Sequence, residues 1–260
     1  MVEETTRVID ESSLKHRVVD YDHWHERLAT FDGQTDEPTE PWHRTVIKLL
    51  PDLNGQRLLE IGCGRGDFSI WLSKQFPDAE VVGLDFSSKA ISIAQARADA
   101  AAINARFVVG DAEALGFSED EFDYVISCEC FEHVPNPKKM AREIGRVLKP
   151  SGQFILTTEN YFNGMLLGWL MSWIRKAKFN SGSGVQPHES FFLFWRVKAL
   201  LESGGLKINH MESNHFQWLL LPGTNPARLL TADFGNPLLK RIFRPFGRHF
   251  TFAGSVLKRA

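Results

Sequence analysis

The residues of this 260-residue chain that can do chemistry come in a short ordered series. Glu60 stands two places before Gly62, with Cys63, Gly64 and Gly66 following, in LLEIGCGRGDF. Asp85 and Phe86 come next, then Asp111 and Ala112, then Cys128, Glu129, Glu132 and His133 in CECFEHVPNP, and later His188 and Glu189 in QPHESFF. Glycines at the end of an apolar run let a backbone approach a ligand closely and leave the amides of the next helix pointing at it. A pyrophosphate cradle uses the same logic with the spacing G-x-G-x-x-G. Here the spacing is G-x-G-x-G, and Glu60 would repel a phosphate and attract an ammonium group. The pattern points to a cationic nucleoside rather than a phosphorylated one.

Asp85 follows Gly66 at close to the roughly 20-residue offset at which an acid reaches ribose hydroxyls. Phe86 can pack on a purine face, and Asp111 with the backbone of Ala112 can read the edge of an adenine. Each of these taken singly has a plain structural reading: a turn, a helix cap, a strand end. Together, in order and at successive strand ends, they describe one crevice, because ligands of open α/β sheets bind outside the carboxyl ends of the strands. His133 is a candidate general base, since histidine as a residue type suits proton transfer near neutrality; the alternative is a brace before Pro135. His188, with Glu189, is a second candidate, and a capping role for the following helix is its alternative.

These residues need elements to hold them. Short apolar strands are expected at Arg57 to Ile61, Glu80 to Leu84, Arg106 to Val109, Phe122 to Ser127, Gln153 to Thr158, Leu206 to Met211 and Phe250 to Leu257. Helical patterns between them make a βαβ array with a mostly parallel sheet. Ser87 should cap one helix and Asn136, followed by Pro137, another, and a further helix is expected from Phe192 to Ser203. Residues 1–56 read as a helical lead-in covering sheet or cofactor, and 57–260 as the ligand-binding domain with insertions at about 160–190 and 213–247. The first insertion carries Met165, Trp169 and Trp173 on one stripe, then Arg175, Lys176 and Lys178. It reads as an apolar roof over an acceptor, with a weak membrane-surface contact and simple core packing as alternatives.

Composition narrows the partners. A net charge of −2 gives no global reason to expect nucleic acid, although no acid follows Asp233 while Lys240, Arg241, Arg244, Arg248, Lys258 and Arg259 do. Three scattered cysteines fit neither a disulfide framework nor a zinc site and suit a reducing cytoplasm. The acidic opening MVEETTRVIDESS lacks the apolar core of a secretory signal. The apolar stretch Met165 to Ile174 is about half of the roughly 20 residues needed to cross a bilayer.

Taken together, LLEIGCGRG, GLDFS, GDAEAL, VISCECFEHVPNP and REIGRVLKPSGQFILTT make the stretch from Arg57 to Thr158 resemble the class I S-adenosylmethionine (SAM) dependent methyltransferases, in particular their ubiquinone-biosynthesis-like, type 11 group. The resemblance implies a Rossmann-like seven-stranded fold. It also implies SAM as cofactor, with Glu60 and Gly62, Cys63, Gly64 and Gly66 by its methionyl part, Asp85 and Phe86 by its nucleoside, Asp111 and Ala112 by the adenine, and Cys128 beside the crevice. The implied reaction is methylation of a small acceptor, foremost a hydroxyl of a quinol, phenolic or polyketide-like compound, with a sugar or glycolipid as alternative and a non-catalytic SAM-binding partner protein as a reading of another class. The E-x-x-E-H run Glu129, Glu132, His133 resembles that of metal-assisted relatives, but no metal is assigned to it. A nucleic-acid methyltransferase would carry an Asn/Asp-Pro-Pro-Tyr/Phe motif where this chain reads SCEC.

Overall fold

Runs of Val, Ile and Leu that are apolar on both faces can be buried only between two layers of helices, and a parallel sheet is the arrangement that allows it. A computed structural model describes residues 20–24, 26, 41–160, 162, 173–174, 176, 190, 192–216, 238, 241–242 and 244–257. In it β1 (Arg57–Ile61), β2 (Glu80–Asp85), β3 (Ala105–Val109), β4 (Phe122–Cys128) and β5 (Leu148–Glu159) pair in parallel. β7 (Gly247–Val256) runs antiparallel between β5 and β6 (Leu206–Phe216). The order β3-β2-β1-β4-β5-β7-β6 makes a seven-stranded, mostly parallel, Rossmann-like sheet, as expected. Its strand order reverses between β1 and β4, and the crevice opens at the carboxyl ends there.

Helices cover both faces. α1 (Pro41–Leu49) and α2 (Asp67–Gln75) pack through Val46, Phe68 and Leu72 on Leu58, Ile126 and Ile155, while α3 (Ser88–Ala100) meets β3 through Ala94 and Phe107. On the opposite face α4 (Pro137–Val147) and α5 (Phe194–Ser203) bury Met140, Ile144, Val197 and Leu201 against Leu59, Val125, Phe154 and Phe252. Both expected caps form: Ser87 Oγ accepts from the Ala90 amide at 3.1 Å, and Asn136 Oδ1 from the Lys139 amide at 3.3 Å. Such caps satisfy amides that have no partner inside the helix.

Several boundaries differ from expectation, each for a local reason. α4 ends at Val147 and Leu148 already pairs with Phe122, so β5 starts without a loop and runs well before Gln153. α5 begins at Phe194 rather than Phe192, because the Phe192 ring is buried beside Phe131, 5.7 Å away. β6 extends to Phe216 and β7 starts at Gly247 because their ladder continues through polar positions. Most of the expected lid, including Met165 and Trp169, the Ser181 to Gly184 stretch and Pro222, Pro226 and Pro237 lie outside the described residues. Trp173 and Ile174 are described, and both are exposed. Among the described residues no helix is long and apolar enough to cross a membrane.

Phe252 is fully buried where β7 meets the α4 and α5 layer. Its replacement by alanine should cost about 3–5 kcal/mol, the range for truncating a core aromatic, read as a lower urea midpoint with an unchanged slope. An unaltered midpoint would mean that this layer is not the core.

Candidate functional site

The crevice is built from the ends of β1, β2, β3 and β4. β1 runs into a turn in which Gly62, Gly64 and Gly66 all have positive φ, 78°, 53° and 80°, a region that side chains rarely adopt. The protein itself adds a second reason: a Cβ on Gly62 would fall 2.6 Å from that of Cys130, and one on Gly66 2.8 Å from the Phe107 ring. Two of the three glycines therefore serve internal packing as much as approach of a ligand. The turn is tied to β2, where the Leu84 carbonyl accepts from the amides of Gly62 and Cys63 at 2.8 and 3.0 Å.

Asp85 is held from two sides, Oδ2 accepting from the Gly64 amide and Oδ1 from the Ser87 amide, both at 2.9 Å. Each oxygen keeps lone pairs for further donors, so the carboxylate is oriented without being used up. Phe86 meets Tyr21 edge to face at 6.4 Å, and Asp22 accepts from Ser87 Oγ, Ser88 Oγ and the Lys89 amide. The described part of the lead-in thus docks beside this loop. At the next strand end Asp111 Oδ1 accepts from the Glu113 amide at 2.8 Å, and Ala112 is buried.

Glu60 is 3 % exposed and takes a hydrogen bond from Ser69 Oγ of α2. Burial pushes its pKa up to about 7, the Ser69 bond opposing and Asp67 and Asp85 adding to the rise. A buried carboxyl in this condition gains from a cation. The Cys63 side chain turns away into the apolar contact between α2, α3 and β3, so only its backbone faces the turn. Burial raises the pKa of the Cys63, Cys128 and Cys130 thiols, and none is poised as a nucleophile.

Beyond β4 the chain carries a buried polar cluster. Glu129 has a positive φ of 49°, its amide donates to Thr157 Oγ1 at 3.1 Å, and its Oε2 lies 3.0 Å from His249 Nδ1. Glu159 is paired with Arg248 at 2.9 Å. Glu132 accepts from Thr158 Oγ1 at 2.7 Å, while its carbonyl accepts from the Ser190 amide. Burial lifts both Glu129 and Glu132 to about 8, seconded by Glu159 for the former and by Glu129 for the latter. His133 sits in the short turn Phe131–His133, with Nε2 3.9 Å from Glu132 Oε1.

Sequence reasoning passed over the facing wall. From α1, Trp42 packs on His249 at 5.0 Å and His43 stacks on Phe68 at 4.6 Å. Burial lowers the His43 pKa to about 4, so its imidazole is neutral. His188, Glu189 and Trp169 lie outside the described residues.

Comparison with known proteins agrees with this geometry. Residues 58–152 match the methyltransferase domain family. The chain is 34% identical to the demethylmenaquinone methyltransferase of Thermus thermophilus over 44% of its own length and 52% of that protein's. It is 37% identical to the fatty-acid O-methyltransferase of Mycolicibacterium smegmatis over 45% of its length and 41% of that protein's. The chain thus spans about half the length of the curated relatives it matches. A solved complex between the Haloferax volcanii Trm112 methyltransferase activator and a methyltransferase matches with a TM-score of 0.63 at 22% identity, covering 94% of this chain and 99% of that one. At that identity the likeness is one of fold.

Glu60, Glu129 and Glu132 carry a consequence for stability. Their folded pKa values, about 7, 8 and 8, lie above the ordinary 4.5. The folded protein therefore keeps protons that the unfolded chain has lost, and their contribution is complete below pH 4.5 and disappears as pH rises through 7 to 8. The melting temperature of the ligand-free protein should fall between pH 5 and pH 8.5, and less steeply in Glu132→Gln. A melting temperature that rises over this interval would contradict the assignment.

Proposed function

Since residues 58–152 match the methyltransferase domain family, we propose that the chain transfers a methyl group from SAM to a hydroxyl oxygen of a small quinol, phenolic or polyketide-like acceptor. The observation that carries this reading is the pairing of a buried acid on β1, Glu60, with an oriented acid at the end of β2, Asp85, across one glycine turn. Glu60 is suited to the methionyl ammonium and Asp85 to the ribose diol, with Phe86, Asp111 and Ala112 toward the base. Gly62, Gly64, Gly66 and the backbone of Cys63 would line the turn beneath. Cys128, at the end of β4, borders the reacting side.

SAM, when bound, supplies a methyl group made electrophilic by its sulfonium. Transfer breaks the carbon–sulfur bond, leaves its electron pair on sulfur, and forms an oxygen–carbon bond from an acceptor lone pair. The acceptor's proton leaves to His133, whose position in the turn after β4 supports a role as general base. Most of the acceleration in such a displacement comes from holding the two partners in line, a task for a crevice closed by α1 and the lead-in. The named relatives, a demethylmenaquinone methyltransferase and a fatty-acid O-methyltransferase, support a lipophilic acceptor. A sugar or glycolipid is the second reading, and labelled SAM offered to quinol and saccharide pools separates the two.

Asp85→Ala should weaken SAM binding by at least tenfold in calorimetry, and Gly64→Val should abolish it, since both change the turn. Wild-type affinity in the two variants would move the cofactor elsewhere. His133→Ala should lower kcat by a factor of about 100 or more while SAM affinity changes less than twofold. Unchanged turnover would leave His133 as a brace.

A further inference from the structure

The cluster beyond β4 brings three carboxyl groups together at the end of the sheet. Glu132 and Glu159 are buried and Glu129 is partly so, and Arg248 is paired with Glu159. Glu132 is engaged by Thr158. Glu129 is approached by His249, and its second oxygen, Oε1, is buried with no hydrogen-bond partner among the described residues. Thr251 shares the face of β7 that carries His249, because residues two apart on a strand point the same way. It is 1 % exposed, and its hydroxyl likewise has no partner among the described residues. Thr251 pairs with Thr157, whose hydroxyl accepts from the Glu129 amide, so two polar groups on this face are left without partners among the described residues, an arrangement that costs stability unless something fills it.

We propose that Glu129, Glu159 and His249 bind one divalent metal ion, with the Thr251 hydroxyl beneath it, on the acceptor side of the crevice. One donor atom from each of the three residues lies within 4.8 Å of the others. Metal–ligand bonds of about 2.1 to 2.5 Å let two donors on one ion stand up to roughly 4 to 5 Å apart. Two carboxylates and one imidazole suit Mn²⁺, and Zn²⁺ could also bind them, whereas Mg²⁺ favours oxygen ligands alone. The pairing of Glu159 with His249 across β5 and β7 builds the site, since these two residues are direct partners in the ladder. Binding would replace the direct contact between His249 and Glu129 and leave Arg248 paired with Glu159. An ion here would hold the acceptor oxygen and favour its deprotonation. That use rests on the methyl-transfer reading, whereas the binding itself does not.

The test needs neither donor nor acceptor. Full-length protein stripped with a chelator is titrated with Mn²⁺ alone, with the free ion followed by electron paramagnetic resonance. One ion per chain is expected, with pulsed spectra showing the nitrogen coupling of one histidine. Glu159→Gln and His249→Ala should each weaken binding at least tenfold while SAM affinity stays within twofold. Absence of saturable binding to the folded wild type overturns the proposal, as does binding without nitrogen coupling or binding unchanged in either variant. Because the wild-type spectrum decides by itself, variants that fail to fold do not rescue the idea. Metal binding without methyl transfer would overturn the functional reading and leave the site standing.

Discussion

The architecture of the crevice depends on one contact, the carboxylate of Asp85 accepting from the amide of Gly64 while its other oxygen accepts from Ser87. This pair of hydrogen bonds locks the glycine turn after β1 to the end of β2 and to the start of α3. A charge-assisted bond to a backbone amide is short and directional, about twice as strong as a neutral one. The left-handed glycines, the Leu84 carbonyl and the caps on α3 all converge on the same few ångströms. Each would be poorly positioned without it.

Around that lock the sheet separates two chemistries by side-chain alternation. One face of β1, β4, β5 and β7 presents Glu60, Cys128, Thr157, Glu159, His249 and Thr251 at its carboxyl edge and leucine and isoleucine lower down. The other face carries Phe154, Leu156, Phe250 and Phe252 into a dry core with α4 and α5. The polar edge is roofed by α1 through Trp42 and His43. Buried carboxyls there are held near neutrality by desolvation, so the free protein stores proton-binding sites where charged ligands are expected to arrive.

Much of this was legible from residue order. The strand run before Gly62, the acids at three successive strand ends, and the Ser87 and Asn136 caps are local signals, and local signals survive folding. The wall that faces them was not legible, because His249 reaches Glu129 across 120 residues of chain. Its clue was the alternation Arg-His-Phe-Thr-Phe-Ala, in which His249 and Thr251 share one face and Phe250 and Phe252 the other. Reading the strand from its first aromatic stopped one residue short. Glu159 was hidden in the same way, lying just past the apolar run that marks β5.

The most direct test of the central claim, that a buried acid beside a glycine turn receives a cationic ligand, is proton release on binding. S-adenosylhomocysteine, which keeps the ammonium group, is titrated at pH 6.5 in two buffers of different ionisation enthalpy. With its pKa near 7, Glu60 is mostly protonated before binding, so the wild type should release a large fraction of a proton and Glu60→Gln should release none. Equal proton release in the two proteins, or binding of similar strength with no release in either, would contradict the account.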